Sequence, residues 1–449
     1  MTNRINQRKE GGVRNGPRLM GALALAGALA VAGCDSLLDV SNPNNVAQED
    51  VEQPQAASAM VNGAAARSAL AYAFVNRLEI TVSDEVVQSG SWDAARDMNN
   101  GNVRDQGNAD SNTGFNNMAV ARWMADEALK FVRQHEEEGI LPNRTDFIDA
   151  HLYPGLARLL IGTHFEDFVF SDRVTPGAPI GEQNMGQVFD QALEFFTQMR
   201  TAAQAANDRE RERQAVALLA RTHWAKALVL QKMQPRGQTP SDPLVNSAEA
   251  NAAAEAFFNL GAEPDWRFAH TYSPDTNSNT ISSWINSRRE IVPAPRYAIV
   301  DDGLNIAGTV LEDPIDGIPD PALTRRIAEN VSGVDWAPLP VVSARELHLI
   351  LAEAALATDN TSEFESRINA VRALEELSPY TGQIPALDML IHARNVNLYL
   401  MGRRLADQYR FQIASESWLP NSDAMVRPGS FLPIGEEERQ TNCHFLGTC

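Results

Sequence analysis

The chain has 449 residues, 44% hydrophobic and 21% charged, with 24 Pro, 28 Gly and 3 Cys. That composition excludes a collagen, a coiled-coil rod and a wholly disordered chain, and three cysteines exclude a disulfide-dense scaffold and a four-cysteine zinc site. The formal net charge is -20; residues 1–33 carry +4 (Arg4, Arg8, Lys9, Arg14 and Arg18 against Glu10), so the remainder carries -24, a surface that repels phosphate backbones and argues against a nucleic-acid partner.

Residues 1–18 are polar and basic, and 19–32 are an apolar run too short for a bilayer, which needs roughly 20 residues. This is the pattern of a secretory signal peptide over 1–33, and Val31-Ala32-Gly33-Cys34 is similar to a bacterial lipobox. Cleavage before Cys34, acylation of that cysteine and a mature chain tethered to a membrane surface are the expectation. Residues 34–55 are polar and rich in Pro and Asn and read as the tether. Apolar residues at helical spacing then predict helices over 56–76, 115–138, 146–169, 186–206, 210–233 and 247–260. The second of these sets Met118, Ala121, Ala125, Leu129 and Val132 on one stripe. Between the first two, 89–114 is crowded with Asn, Asp and Gly and predicts a long loop.

Residues 261–340 change character: Pro, Asp, Asn and Gly are frequent and periodic stretches are short. An irregular segment of that length in a compact chain points to function. Helical spacing returns over 344–357, 362–377 and 385–413, and 429–449 reads as a loop ending. Near that end Cys443 and Cys449 either bridge, closing a small loop as the space outside the cytoplasm permits, or stay free thiols. Strand-like alternation is scarce. The fold class is therefore mainly α: helix pairs of tetratricopeptide type in an N-terminal region (56–260) and a C-terminal one (341–449), separated by the irregular insertion.

Enzyme motifs are missing. There is no His-Glu-x-x-His, no Gly-x-x-x-x-Gly-Lys phosphate loop and no Gly-x-Ser-x-Gly, the histidines are scattered, and no carboxylate pair stands out among the acidic residues. No catalytic residue, metal or cofactor is expected.

Four places carry a family likeness. Leu38-Asp39-Val40-Ser41-Asn42-Pro43 follows the lipobox. Ser83-Asp84-Glu85 follows the first helix. Arg345-Glu346-Leu347-His348-Leu349-Ile350-Leu351-Ala352-Glu353-Ala354 is followed by Ile368-Asn369-Ala370-Val371-Arg372. Gly402-Arg403-Arg404-Leu405-Ala406-Asp407-Gln408-Tyr409-Arg410 precedes Pro433-Ile434, Glu438 and Asn442. In this order the chain resembles the SusD/RagB family of outer-membrane nutrient-binding lipoproteins; Met401 stands where the family has Glu, and Gly435 where it has Pro. The resemblance implies a tetratricopeptide-like helical fold, a ligand site on loops and an outer-membrane, cell-surface location. It also implies a SusC-like TonB-dependent β-barrel partner over which the lipoprotein sits as a lid. The ligands implied are oligosaccharides, with peptides in some members. The motif charges Arg345, Glu346, Arg372, Arg404 and Asp407 read as structural, with Arg404 and Asp407 at i, i+3.

Sugar recognition needs flat apolar faces against C–H groups and planar polar groups for hydroxyls. The candidate ligand-binding residues are Trp92, Asn99, Trp266, Tyr272, Trp284, Arg288 and Tyr297, with Trp92 and Trp284 as the best pair. The 99–114 loop could hold hydroxyls or calcium, although its EF-hand-like start lacks the Gly and Glu that such a loop requires. Two alternatives stand beside nutrient binding: a tetratricopeptide-type protein-assembly lipoprotein and a helical glycoside hydrolase.

Overall fold

Alanine-rich sequence with few β-branched residues makes the first long helix, α1 (Ala57–Val82), which follows a 3-10 turn opened by Pro54. The computed structural model describes residues 53–449 apart from 173, 276, 302–304 and 332. The signal peptide, Cys34 and nearly all of the tether lie outside the described residues. Helix α1 runs past the expected end at 76 because its last turns carry Asn76, Arg77 and Glu79 into the interior. Apolar periodicity cannot see polar residues that are buried among partners.

The segment expected to be one long loop, 89–114, follows β1 (Val86–Gln88) and holds a short helix, α2 (Asp93–Asn99). It ends in an N-cap: Asn108 accepts hydrogen bonds from the backbone of Asp110 and Ser111, both at 3.0 Å, and starts α3 (Ala109–Glu137). The same turn uses Asp110 on Arg77 at 3.0 Å, so two of its calcium-ligand candidates are already committed. Asn143, Asp208 and Ser247 cap α4 (Arg144–His164), α6 (Arg209–Ala227) and α7 (Ala248–Asn259) in the same way, with α5 (Gly186–Ala205) between the first two. Each helix packs on its neighbour in this order, α1 on α3, α3 on α4, and so on to α7.

The 261–340 insertion is more ordered than its composition suggests. It contains β2 (Arg267–His270), α8 (Thr280–Asn286), β3 (Ile291–Pro293), β4 (Ala298–Val300), β5 (Ile306–Thr309) and α9 (Pro321–Asn330), and β6 (Leu339–Ser343) crosses its end. The strands form antiparallel two-stranded ribbons, β1 with β3, β2 with β6 and β4 with β5. Strands this short, paired over distant stretches of chain, leave almost no period-2 signal. Helix α10 (Ala344–Ala357) then packs on α6 and α7 and carries α11 (Thr361–Ala373) and α12 (Ala386–Asn397), so the helical blocks and the insertion belong to one compact unit, Gln53–Cys449.

The expected helix over 385–413 is two helices. After α12 the chain turns through Leu400 (φ 62°) and Gly402 (φ 68°) and restarts as α13 (Arg404–Phe411). A Cβ on Gly402 would lie 2.0 Å from Asn76 Oδ1, so both the backbone angle and the contact with α1 require glycine. Met401 is buried in apolar surroundings. Gly435 opens α15 (Glu436–Thr441), which follows the short α14 (Asp423–Val426); a Cβ there would meet Phe115 at 2.7 Å. After it, Cys443 and Cys449 are bridged across α16 (Cys443–Leu446), with Cα atoms 5.1 Å apart.

The turn at Gly402 is bolted down by charge. Arg404 grips Asp84 with two hydrogen bonds of 2.7 and 2.9 Å, and Arg403 bonds Glu346 at 2.8 Å. Asp407 pairs with Arg394 at 2.8 Å and Arg410 at 2.9 Å, and Arg410 also meets Glu353. Arg404 and Asp407 thus do not serve each other; each is aimed at a different element. Arg345 bonds Asp265 at 2.7 Å and Arg372 bonds Asp313 at 2.6 and 3.0 Å. Burial alone would push Glu346 and Asp407 upward, but the adjacent guanidinium groups hold both below the ordinary carboxylate range.

Candidate binding face

The β1–β3 ribbon organises one face of the molecule. Its register sets Val86 against Pro293 and Gln88 against Ile291. At the Val86 end a cleft of about 400 Å³ opens, lined by Asp84, Val87, Arg296, Leu311 and the 414–417 segment. At the Gln88 end the chain continues into Ser89-Gly90-Ser91-Trp92. There Ser89 and Gly90 donate to the Glu290 carbonyl at 2.9 and 3.2 Å, Ser89 Oγ donates to the Arg289 carbonyl at 3.0 Å, and the Trp92 amide donates to the Glu290 carboxylate at 3.0 Å. Three paired residues span about 10 Å, so a short ribbon joins the Ser89–Trp92 segment to the cleft.

Trp92 is 41% exposed, held by its backbone while its ring faces solvent. Trp284 was its expected partner, but α8 turns that ring inward: it is 6% exposed, with the guanidinium carbons of Arg77 at 3.5 Å and Arg288 at 4.7 Å from the ring centre. Arg288 itself is exposed. The structure therefore brings Trp92 and Arg288 to adjoining loops, with Trp284 beneath as a support and not as a ligand platform.

The remaining candidates hold the scaffold. Asn99 is buried and bonds the Gln88 amide at 3.2 Å and the Thr81 carbonyl at 3.2 Å. Trp266 donates to Glu210 at 2.8 Å and packs 4.9 Å from Phe257. Tyr272 donates to the Ala69 carbonyl at 2.8 Å. Tyr297 is wholly buried below the cleft, 3.1 Å from Asp84 and 2.7 Å from Asn395. For the three aromatics, a polar atom reaches a partner and the ring covers the core, which is how loop aromatics usually pack.

Asp84 forms the cleft's floor. Burial would raise its carboxyl, but Arg404 and then Arg296 outweigh that and hold it below the ordinary value. A carboxylate pinned between two arginines cannot serve as the protonated acid that glycoside hydrolysis demands. Asp84 was visible in the Ser83-Asp84-Glu85 motif; Arg296 and the 414–417 segment, beyond the second helical break, offered no signal of their own.

Two further places gather charged side chains. A larger cleft, about 660 Å³, lies among the ends of α3, α4 and α5 around Phe147, His151 and Thr201. Its arginines are already matched, Arg144 to Glu136 at 2.8 Å and Arg133 to Gln198, and the loop aromatics lie elsewhere. Asp313, Asp320 and His392 come close enough to hold a metal ion. Both Asp313 oxygens already face Arg372, and Asp320 caps α9, so these charges are satisfied without one.

The molecule is a stack of helix pairs bearing a loop-built face with an exposed indole. Comparison with solved structures gives the fold a closer description: it is similar to the folds of SusD superfamily proteins. A SusD superfamily protein from Bacteroides vulgatus matches at TM-score 0.60 and 13% identity, over 87% of this chain and 98% of that one. Another, from Parabacteroides distasonis, matches at TM-score 0.60 and 12% identity over the same shares. A SusD-like carbohydrate binding protein from Bacteroides vulgatus matches at TM-score 0.50 and 11% identity, over 80% of this chain and 84% of that one. No protein-family model and no curated protein matches the chain.

Proposed function

We propose that this chain is a glycan-binding surface lipoprotein of SusD type, anchored through Cys34, that passes an oligosaccharide to a SusC-like TonB-dependent barrel in the outer membrane. The observation that carries the reading is Trp92, a fixed and solvent-facing indole joined by a short ribbon to a polar cleft. A flat ring stacks on the C–H face of a sugar, and the neighbouring carboxylate, guanidinium and hydroxyl groups of Asp84, Arg296 and Ser415 take its hydroxyls. One of the fold's neighbours is named as a carbohydrate binding protein, which supports the ligand class. The lipid anchor rests on the residues before Cys34, and the barrel partner on the family resemblance. Among the described residues no helix is long and apolar enough to cross a membrane. No bond-breaking step is assigned, and affinity near micromolar is expected from one stacked ring and a few hydrogen bonds.

The test is a mild-detergent pull-down of the lipidated protein from its own membranes, with a glycan screen of the material recovered. The reading expects a large barrel in near-equal amount and glycan binding that Trp92→Ala weakens by roughly tenfold or more without changing the melting temperature. Recovery of peptidoglycan or assembly factors in place of a barrel, together with no glycan binding, would overturn it.

A further inference from the structure

We propose that the glycan recognised by this face is acidic, and that Arg288 pairs with a carboxylate on one of its sugar rings; this rests on the glycan-binding reading above. The argument begins with charge. Beyond residue 33 the chain carries -24, yet the stretch 287–296 that borders Trp92 holds Arg288, Arg289 and Arg296 against Glu290 alone, or +2. Most of the charges around it are spoken for. Arg96 bonds Asp93 at 2.8 Å, Arg296 is held by Asp84, and Glu290 receives the Trp92 amide at 3.0 Å.

Arg288 differs. It is exposed and forms no ion pair among the described residues, but it is not loose: its guanidinium lies 4.7 Å from the centre of the buried Trp284 ring. The same ring carries Arg77 at 3.5 Å, which is fully buried and owns the nearest carboxylate, Asp110, at 3.0 Å. Two cations thus share one ring, and the carboxylate paired there, Asp110, is bound to Arg77. Burial lowers the Arg77 guanidinium, and repulsion from Arg288 adds to it. A ligand carboxylate at Arg288 would supply the missing counter-charge, because an exposed guanidinium in no ion pair among the described residues has N–H groups to offer its two oxygens. Trp92, tied through Glu290 to the same loop, would stack on the ring that bears that carboxylate or on its neighbour.

Methyl esterification removes a uronate's charge and leaves its ring in place, so it isolates this interaction. Trimers of galacturonate, glucuronate and mannuronate would each be titrated beside their methyl esters into the full-length protein and into Arg288→Gln, Arg288→Lys and Trp92→Ala variants. The expected result is that at least one acid trimer binds roughly tenfold or more tighter than its ester. Arg288→Gln should erase that preference while keeping ester binding, Arg288→Lys should keep part of it, and the preference should shrink as salt rises. Unchanged melting temperatures would show that the variants fold. The proposal is overturned if no acid form outbinds its ester, or if Arg288→Gln keeps the preference. Should neutral glycans alone bind, and Trp92→Ala weaken them, the glycan reading stands and only the acidic specificity falls; if no glycan binds at all, both fall.

Discussion

The protein uses arginine in two opposite ways. Between α1, α10 and α13, guanidinium groups are buried and matched: Arg404 with Asp84, Arg403 with Glu346, Arg394 and Arg410 with Asp407. On the loop face, Arg288 is exposed, positioned by a ring and in no ion pair among the described residues. A buried pair is weak evidence for net stability, because desolvation takes back most of the attraction, but an unpaired member is very costly. The matched set therefore fixes which segments meet, pinning the Gly402 turn to the Ser83-Asp84-Glu85 segment. The unmatched residue faces solvent, where a ligand can complete it.

Breaking the matched side should have the largest effect. Asp84→Ala leaves Arg404 buried without its partner, and a loss of about 3–5 kcal/mol is expected in denaturant unfolding. Arg404→Met together with Asp84→Leu should recover part of that loss, because the unpaired charge is gone.

Acid–base behaviour sharpens the same contrast. Glu79 and Glu85 each accept one backbone N–H of the turn, from Leu405 at 2.7 Å and Leu400 at 2.8 Å. Burial raises Glu79 to about 7 and Glu85 well above its ordinary value, the latter also through the Glu79 charge. A carboxyl whose folded value is raised stabilises fully below its unfolded value near 4.5, and that contribution is lost as pH climbs through the folded value. Between pH 4.5 and 7 Glu79 should therefore cost on the order of 3 kcal/mol. Glu79→Gln should flatten this slope and be the more stable protein at pH 8, read from melting temperatures at pH 5 and 8. At the acid end Asp84, Glu346 and Asp407 act in the other direction, losing their contribution as pH falls below the ordinary carboxylate range.

On the unmatched side, Trp92→Ala should weaken glycan binding by about 1–3 kcal/mol, the worth of a stacked ring, and shift stability by less than about 0.5 kcal/mol. Calorimetric titration beside a thermal melt checks both halves. The smallest effect is expected at the chain end. Cys449→Ser opens a bridge that staples only the last exposed turn, and global unfolding should move by less than about 1 kcal/mol.

Apolar stripes made the helical stack legible, and α10 has the bounds read from its spacing, because Leu347, Ile350, Leu351 and Ala354 mark a buried stripe along it. The reading failed where burial is polar. Asn76, Arg77 and Glu79 concealed the end of α1, and Leu398-Tyr399-Leu400-Met401 is apolar enough to continue a helix that Gly402 in fact ends. Of the candidate site, Trp92 and Arg288 were legible as an aromatic and a cation in loops. Trp284 looked the same in sequence, and only the inward turn of α8 onto Arg77 separates it from Trp92. The cleft could not be read at all, since Asp84, Arg296 and Ser415 meet only through long-range pairing.

The most direct test is amide hydrogen exchange of the whole protein with and without the tightest-binding glycan of the screen. The account predicts slowed exchange in peptides covering 84–96, 287–296 and 414–417, with the α4–α5 side unchanged. Protection confined to the cleft around Phe147, His151 and Thr201, with the Trp92 loop unaffected, would contradict it.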